Sequence, residues 1–190
     1  MIIEILLICV GLLVFFSILA LGWGIHIFNY LNAGKINVET QWSNVKTEYQ
    51  RRYDLLPNLA EAVKSFKKHE EFTYPKIAEM RSMINFKGSK AQGMKSMNFL
   101  DSFFSRLMVA NERYPELKAA LHGDLMKEVR ITEDRINVAR TDYNDVVREY
   151  NLIIRTFPSN IISNMFNFKN EIPFEINTPE AEKAPKLNLA

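Results

Sequence analysis

The sequence predicts an all-α protein: an N-terminal transmembrane helix followed by an elongated up-and-down bundle of three to four long helices. Three observations carry this. Residues 5–28 are an apolar run without Asp, Glu, Lys or Arg. Two later stretches place apolar residues at alternating spacings of three and four, the period of helices packed lengthwise in coiled-coil fashion. A sustained period-two alternation, which would mark half-buried strands, does not occur.

The apolar run would span roughly 36 Å as a helix, enough to cross a hydrocarbon core of about 30 Å with some tilt. We place a short tail at residues 1–4 and the membrane helix at 5–30, with Ile5, Phe15, Ala20, Gly24 and Phe28 along it. Trp23 and Tyr30 stand near its end, where amphipathic rings favour the headgroup layer. A cleaved signal has a basic start and a shorter apolar stretch. This chain begins Met-Ile-Ile-Glu and runs long, so a retained anchor is expected. Cys9 is the only cysteine, which rules out an internal disulfide. Ser17, Ala20 and Gly24 share one face of the anchor, and small residues at that spacing let a second helix approach, which makes them the candidates for self-association. Only Glu4 precedes the anchor, whereas Lys35, Lys46, Arg51 and Arg52 follow it. The positive-inside tendency then places the bundle in the cytoplasm. Large domains also translocate regardless of loop charge, so a periplasmic or extracellular bundle stays open.

The bundle is expected over residues 31–157. The first stripe runs through Val38, Trp42, Val45, Tyr49, Arg52, Leu56, Leu59, Val63, Phe66, Glu70, Thr73, Ile77, Met80 and Ile84. Pro57 and Pro75 should kink or restart the helix just before themselves. Residues 86–96, with Gly88, Gly93 and three lysines, read as a loop. A shorter helix over 98–113 follows, with Phe99, Phe103, Leu107 and Ala110 inward. The last stripe is Leu125, Val129, Thr132, Ile136, Ala139, Tyr143, Val146, Tyr150, Ile153 and Phe157, on a helix starting near Pro115 and closed by Pro158. A short amphipathic helix is expected over 158–170 and a flexible, proline-containing tail over 171–190.

Arg52 is the oddity of the first stripe, because an unpaired charge on a buried face is costly. Glu133 and Asp134 adjoin Thr132, the polar position of the last stripe. The expectation is an interhelical pair between Arg52 or Arg51 and Glu133 or Asp134, against the plainer outcome that Arg52 extends its head into water. In the short amphipathic helix, Ile161, Ile162, Met165, Phe166 and Phe168 are candidates for dipping into the membrane interface. The alternatives are that they cap the open end of the bundle or meet a neighbouring subunit.

These residues also carry a resemblance. Arg51-Arg52-Tyr53-Asp54-Leu55-Leu56-Pro57-Asn58-Leu59, with Trp42 before it and His69-Glu70 after it, resembles the LemA family. So do Tyr114-Pro115-Glu116-Leu117-Lys118, Glu133-Asp134-Arg135-Ile136 followed by Ala139-Arg140, and Tyr143-Asn144-Asp145-Val146-Val147-Arg148-Glu149-Tyr150-Asn151. Phe157-Pro158-Ser159-Asn160 and Phe166-Asn167-Phe168 complete the pattern. Thr47-Glu48-Tyr49 and Ala119-Ala120-Leu121-His122-Gly123 depart from it, as altered packing or partner surfaces. The resemblance implies an N-terminal anchor, a helical bundle, a bacterial membrane and no established biochemical activity; some relatives are linked to organising internal membranes.

The residue inventory offers little chemistry. His69 and His122 lack the Glu-x-x-His pairing of helical di-metal sites, and there is no phosphate loop. No cofactor and no metal are therefore expected, nor an enzyme. Lys+Arg of 24 against Asp+Glu of 22 is too balanced for a nucleic-acid binder. The expected partners are the lipid bilayer and other copies of the chain. The leading functional expectation is a single-pass structural or scaffold protein of the bacterial inner membrane that self-associates and organises or shapes that membrane. An adaptor that docks a protein partner such as a protease or sensor comes second, and an undetected hydrolase third.

Overall fold

A computed structural model describes residues 1–65, 73–86, 88–121 and 123–175. Phe66, His69, Glu70, Lys87, His122 and the tail from residue 176 lie outside them. Every element among the described residues is helical: α1 (Ile2–Asp54), α2 (Leu56–Ala62), a single 3-10 turn (Val63–Ser65), α3 (Tyr74–Met83), α4 (Lys90–Arg113), α5 (Pro115–Ala120), α6 (Gly123–Arg155) and α7 (Ser159–Met165). The chain forms two compact units, to both of which α1 and α6 contribute.

The first unit comprises residues 1–40 and 145–171. Its α1 segment contains a stretch long and apolar enough to cross a membrane. Ile5, Phe15 and their neighbours expose their side chains rather than packing on protein. Further along, α1 meets α6 and α7 in antiparallel order, Gly34 opposite Tyr150 and Gly24 opposite Ile162. A Cβ on Gly34 would stand 3.2 Å from the Tyr150 ring, so the absence of a side chain sets that approach. Leu31, Val38, Val147, Tyr150 and Ile154 fill the contact. α7 ends on Asn167, whose φ of 57° is the left-handed conformation in which Asn often closes a helix. The Phe168 amide then donates to the Ser163 carbonyl at 2.9 Å.

The second unit comprises residues 41–144 and 172 onward. Its contacts fix an up-and-down order. Lys64 lies over Tyr74 and Arg81 over Tyr53, so α3 runs back along α1 and α2. Trp42 meets Gly93 while Arg52 lies over Phe104, so α4 runs parallel to α1. Trp42 packs on Tyr143 and Arg52 faces Glu133, so α6 returns antiparallel. The two prolines act as chain breakers at helix starts: Pro57 and Pro75 each fall in the first two positions of α2 and α3.

Three sequence expectations are corrected here. The loop over residues 86–96 is largely helix. Ser89 accepts from the Gln92 amide at 3.3 Å and Gln92 accepts from the Ser89 amide at 3.2 Å, a reciprocal cap that starts α4 at Lys90. Gly93 lies inside α4 because the Trp42 ring packs 3.1 Å from where its Cβ would stand. Phe99 is exposed, whereas Phe103, Leu107 and Ala110 are inward as expected and are joined by Met97, Leu100 and Phe104. On α6 the buried positions move to Val147 and Ile154 in place of Val146 and Ile153, and Phe157 is 78% exposed. A straight helix drifts by about 20° per heptad from a strict seven-residue repeat, which moves the stripe by one position over that length.

Candidate functional site

Two places gather the chemistry-bearing residues. The first lies within the second unit. Arg52 is 4% exposed, and its Nη1 donates to Asp101 Oδ1 at 2.7 Å. Its Nη2 stands 3.8 Å from Glu133. The other carboxylate oxygen of Asp101 accepts from Tyr49 Oη at 2.7 Å and from Arg140 Nη2. Arg140 also donates to the Tyr49 hydroxyl oxygen, so that hydroxyl both gives and receives. Aromatic rings close the cluster: Phe104 lies 4.9 Å under the Arg52 guanidinium, and Phe174 lies 4.5 Å from that of Arg140.

Electrostatically the group is self-contained, two guanidiniums against Asp101 and Glu133. Burial dominates the titration of its members. It pushes the Asp101 carboxyl up to about 7, against the pull of Arg52. Burial also pushes Arg52 downward against Asp101 and Glu133, and Arg140 down to about 10. Each charge here would be costly alone, and mutual pairing offsets the loss of water. Among the described residues no group of three or more His, Cys, Asp and Glu side chains could hold a metal.

The structure thus brings Arg52 and Glu133 together and leaves the other two predicted members apart. Arg51 pairs with Glu48 on its own helix at 3.7 Å, and Asp134 lines an exposed groove with Gln41, Glu48 and Val138. Asp101, Arg140 and Tyr49 are the members that sequence reasoning missed. Asp101 sits between Leu100 and Phe103 on α4, where Phe103, Leu107 and Ala110 are inward as expected and Leu100 takes the place of Phe99. Arg140 follows Ala139, and both are buried because the apolar stripe steps across there.

Asparagines form a further, unpredicted device. In the second unit Asn144 donates to the Phe174 carbonyl at 3.1 Å and accepts from the Phe174 amide at 2.7 Å. Tyr143 donates to the Ile172 carbonyl at 2.8 Å and Asn98 to that of Glu175 at 3.1 Å. In the first unit Asn151 does for Glu171 what Asn144 does for Phe174, at 2.8 and 2.9 Å. Residues 171–175, expected as flexible tail, are therefore held in place. The signal was the Tyr-Asn pair repeated seven residues apart, Tyr143-Asn144 and Tyr150-Asn151.

The second place lies within the first unit. Ser17, Ala20, Leu21, Gly24, Ile25 and Phe28 of α1 and Ile162, Met165 and Phe166 of α7 line an apolar groove of about 520 Å³. Ile162 Cδ1 stands 3.7 Å from where a Gly24 Cβ would be, and Phe28 meets Phe166 at 4.7 Å and Phe168 at 5.9 Å between ring centroids. The small-residue face and the amphipathic segment, read separately from the sequence, share one surface. Ile162 is buried there, while Ile161, Met165 and Phe166 stay more than half exposed.

The profile of the LemA family matches residues 41–189. The chain belongs to the LemA family. It is similar to Protein LemA of Metamycoplasma hominis, 26% identical over 176 residues that cover 87% of this chain and 80% of that protein. The match includes the helices that carry the charged cluster and both asparagine clamps. Family membership and the apolar helix are together compatible with a single-pass membrane protein.

Proposed function

We propose that this chain is a non-enzymatic, single-pass structural protein of a bacterial inner membrane, which self-associates and organises or shapes that membrane. The observation that carries the reading is the surface of α1. From Ile2 to Leu21 its large apolar side chains are more than half exposed, an arrangement stable in lipid and unfavourable in water. α7 adds to it: Ile161, Met165 and Phe166 extend the same apolar surface sideways, as an interfacial helix would.

In this reading the bundle faces the cytoplasm, after the lysines and arginines that follow the anchor. Copies meet through the small-residue face of α1. Since Gly24 is already faced by Ile162, the part open to another copy is Ala20 and Ser17. The test is native mass measurement and electron imaging of the full-length protein purified in detergent. A closed, symmetric assembly of one kind of chain is the expected result. A monomer that carries a defined partner protein in fixed ratio would replace this reading with a membrane-tethered adaptor.

A further inference from the structure

We propose that Asn144, Tyr143 and Asn98 form a receptor for an extended peptide bearing one aromatic side chain, and that residues 172–175 are its resident, exchangeable occupant. The inference is independent of how the anchor assembles.

The contacts are those of strand recognition made by side chains. The Asn144 amide supplies a donor and an acceptor to one residue, as a neighbouring β-strand would, and Tyr143 and Asn98 donate to one carbonyl on either side, those of Ile172 and Glu175. All four hydrogen bonds go to main-chain atoms, so they are indifferent to sequence. Selectivity falls on one position: Phe174 is 4% exposed, whereas Ile172 is 54% exposed and Pro173 and Glu175 are also exposed. Phe174 enters a slot made by Tyr49, stacked on it at 6.0 Å between centroids with planes 14° apart, and by the Arg140 guanidinium.

A segment held by main-chain bonds and a single ring is one that a similar segment can replace. Its departure also has a consequence inside the bundle. Phe174 covers Arg140, which is bonded to Asp101 and Tyr49. Removing the ring admits water to the buried charges, so occupancy of the slot and the packing of α1, α4 and α6 around Asp101 are coupled. The ligand class is accordingly an extended segment with an aromatic residue, supplied by a partner protein in place of residues 172–175.

The test uses full-length protein in detergent and a fluorescent peptide with the sequence of residues 170–175, Asn-Glu-Ile-Pro-Phe-Glu. The tethered segment competes at an effective concentration on the order of millimolar. The peptide should therefore bind the Phe174→Ala variant at least tenfold more tightly than the unaltered chain. The same peptide with alanine in place of its phenylalanine should not bind, and adding Asn144→Ala should weaken binding severalfold. Failure of the peptide to bind a Phe174→Ala chain of unchanged helicity would overturn the proposal, as would equal binding of the alanine peptide. Hydrogen exchange on the unaltered chain gives a second test that needs no variant. The Phe174 amide, held by Asn144, should exchange at least tenfold faster than the amides of residues 129–143, because the segment leaves while the bundle stays folded. Equal protection of the two would mean that the segment departs only on unfolding, and would overturn the proposal even if Phe174→Ala proved unable to fold.

Discussion

At the scale of single residues the structure turns on Asp101. Among the described residues it is the one carboxylate bonded to both Arg52 and Arg140, and burial raises its own cost of ionisation. Taking it away leaves Arg52 and Arg140 without their main counter-charge in a site poor in water. Asp101→Ala should therefore destabilise the fold by about 3–5 kcal/mol, the range for a buried pair that loses one partner. Glu133 contributes far less. It is 45% exposed and 3.8 Å from Arg52, so Glu133→Gln should cost under ~1 kcal/mol. Urea titration of the full-length protein followed by circular dichroism checks both, and comparable losses would mean that Glu133 shares the counter-charge role equally with Asp101. Arg52 could be seen in the sequence because it breaks an apolar stripe. Asp101 and Arg140 could not, since each sits at the edge of a stripe, where a charge is equally at home facing water. Only the packing of three helices decides that these two point inward.

At the scale of elements, spacing predicted the long helices and local chemistry decided their limits. The first stripe from Val38 to Val63 is buried at each predicted position, Arg52 included. The start of α4 was hidden because Gly88, Gly93 and the lysines outweighed a two-residue signal, Ser89 and Gln92. That cap satisfies amides at the end of the helix that would otherwise lack partners. Ser89→Ala should lower stability by about 1 kcal/mol in thermal melts. No change would imply that tertiary packing, Trp42 on Gly93 above all, holds the first turn of α4 without the cap. The clamped segment at residues 171–175 was hidden for another reason. It is short, proline-bearing and without helical or strand periodicity, and what orders it is Asn144 and Asn151, thirty and twenty residues away in sequence. Local pattern carries no information about such a contact.

At the scale of the whole molecule, burial is unevenly divided along the chain. The bundle helices bury their apolar faces on one another, while the first twenty-odd residues of α1 bury almost nothing. Packing within the chain does not stabilise the second group in water, and a hydrocarbon environment, as in the proposed anchor, would give those side chains a favourable place. The anchor then depends on the apolar run being unbroken. Leu13 and Phe16 stand near its centre and are 69% and 62% exposed, so substituting them disturbs no packing within the protein. An arginine at the middle of a membrane helix costs about 2.5–3.5 kcal/mol. The double substitution Leu13→Arg and Phe16→Arg should therefore release the chain from sealed vesicles into a carbonate wash, while unaltered protein remains in the pellet. The helical circular-dichroism signal of the bundle should persist in the released fraction, because residues 41–144 do not depend on these two side chains. Retention of the doubly charged chain in the pellet would show that α7, not α1, provides the stronger hold on lipid. Deleting the exposed apolar side chains of Ile161, Met165 and Phe166 in the same background would then be expected to complete the release.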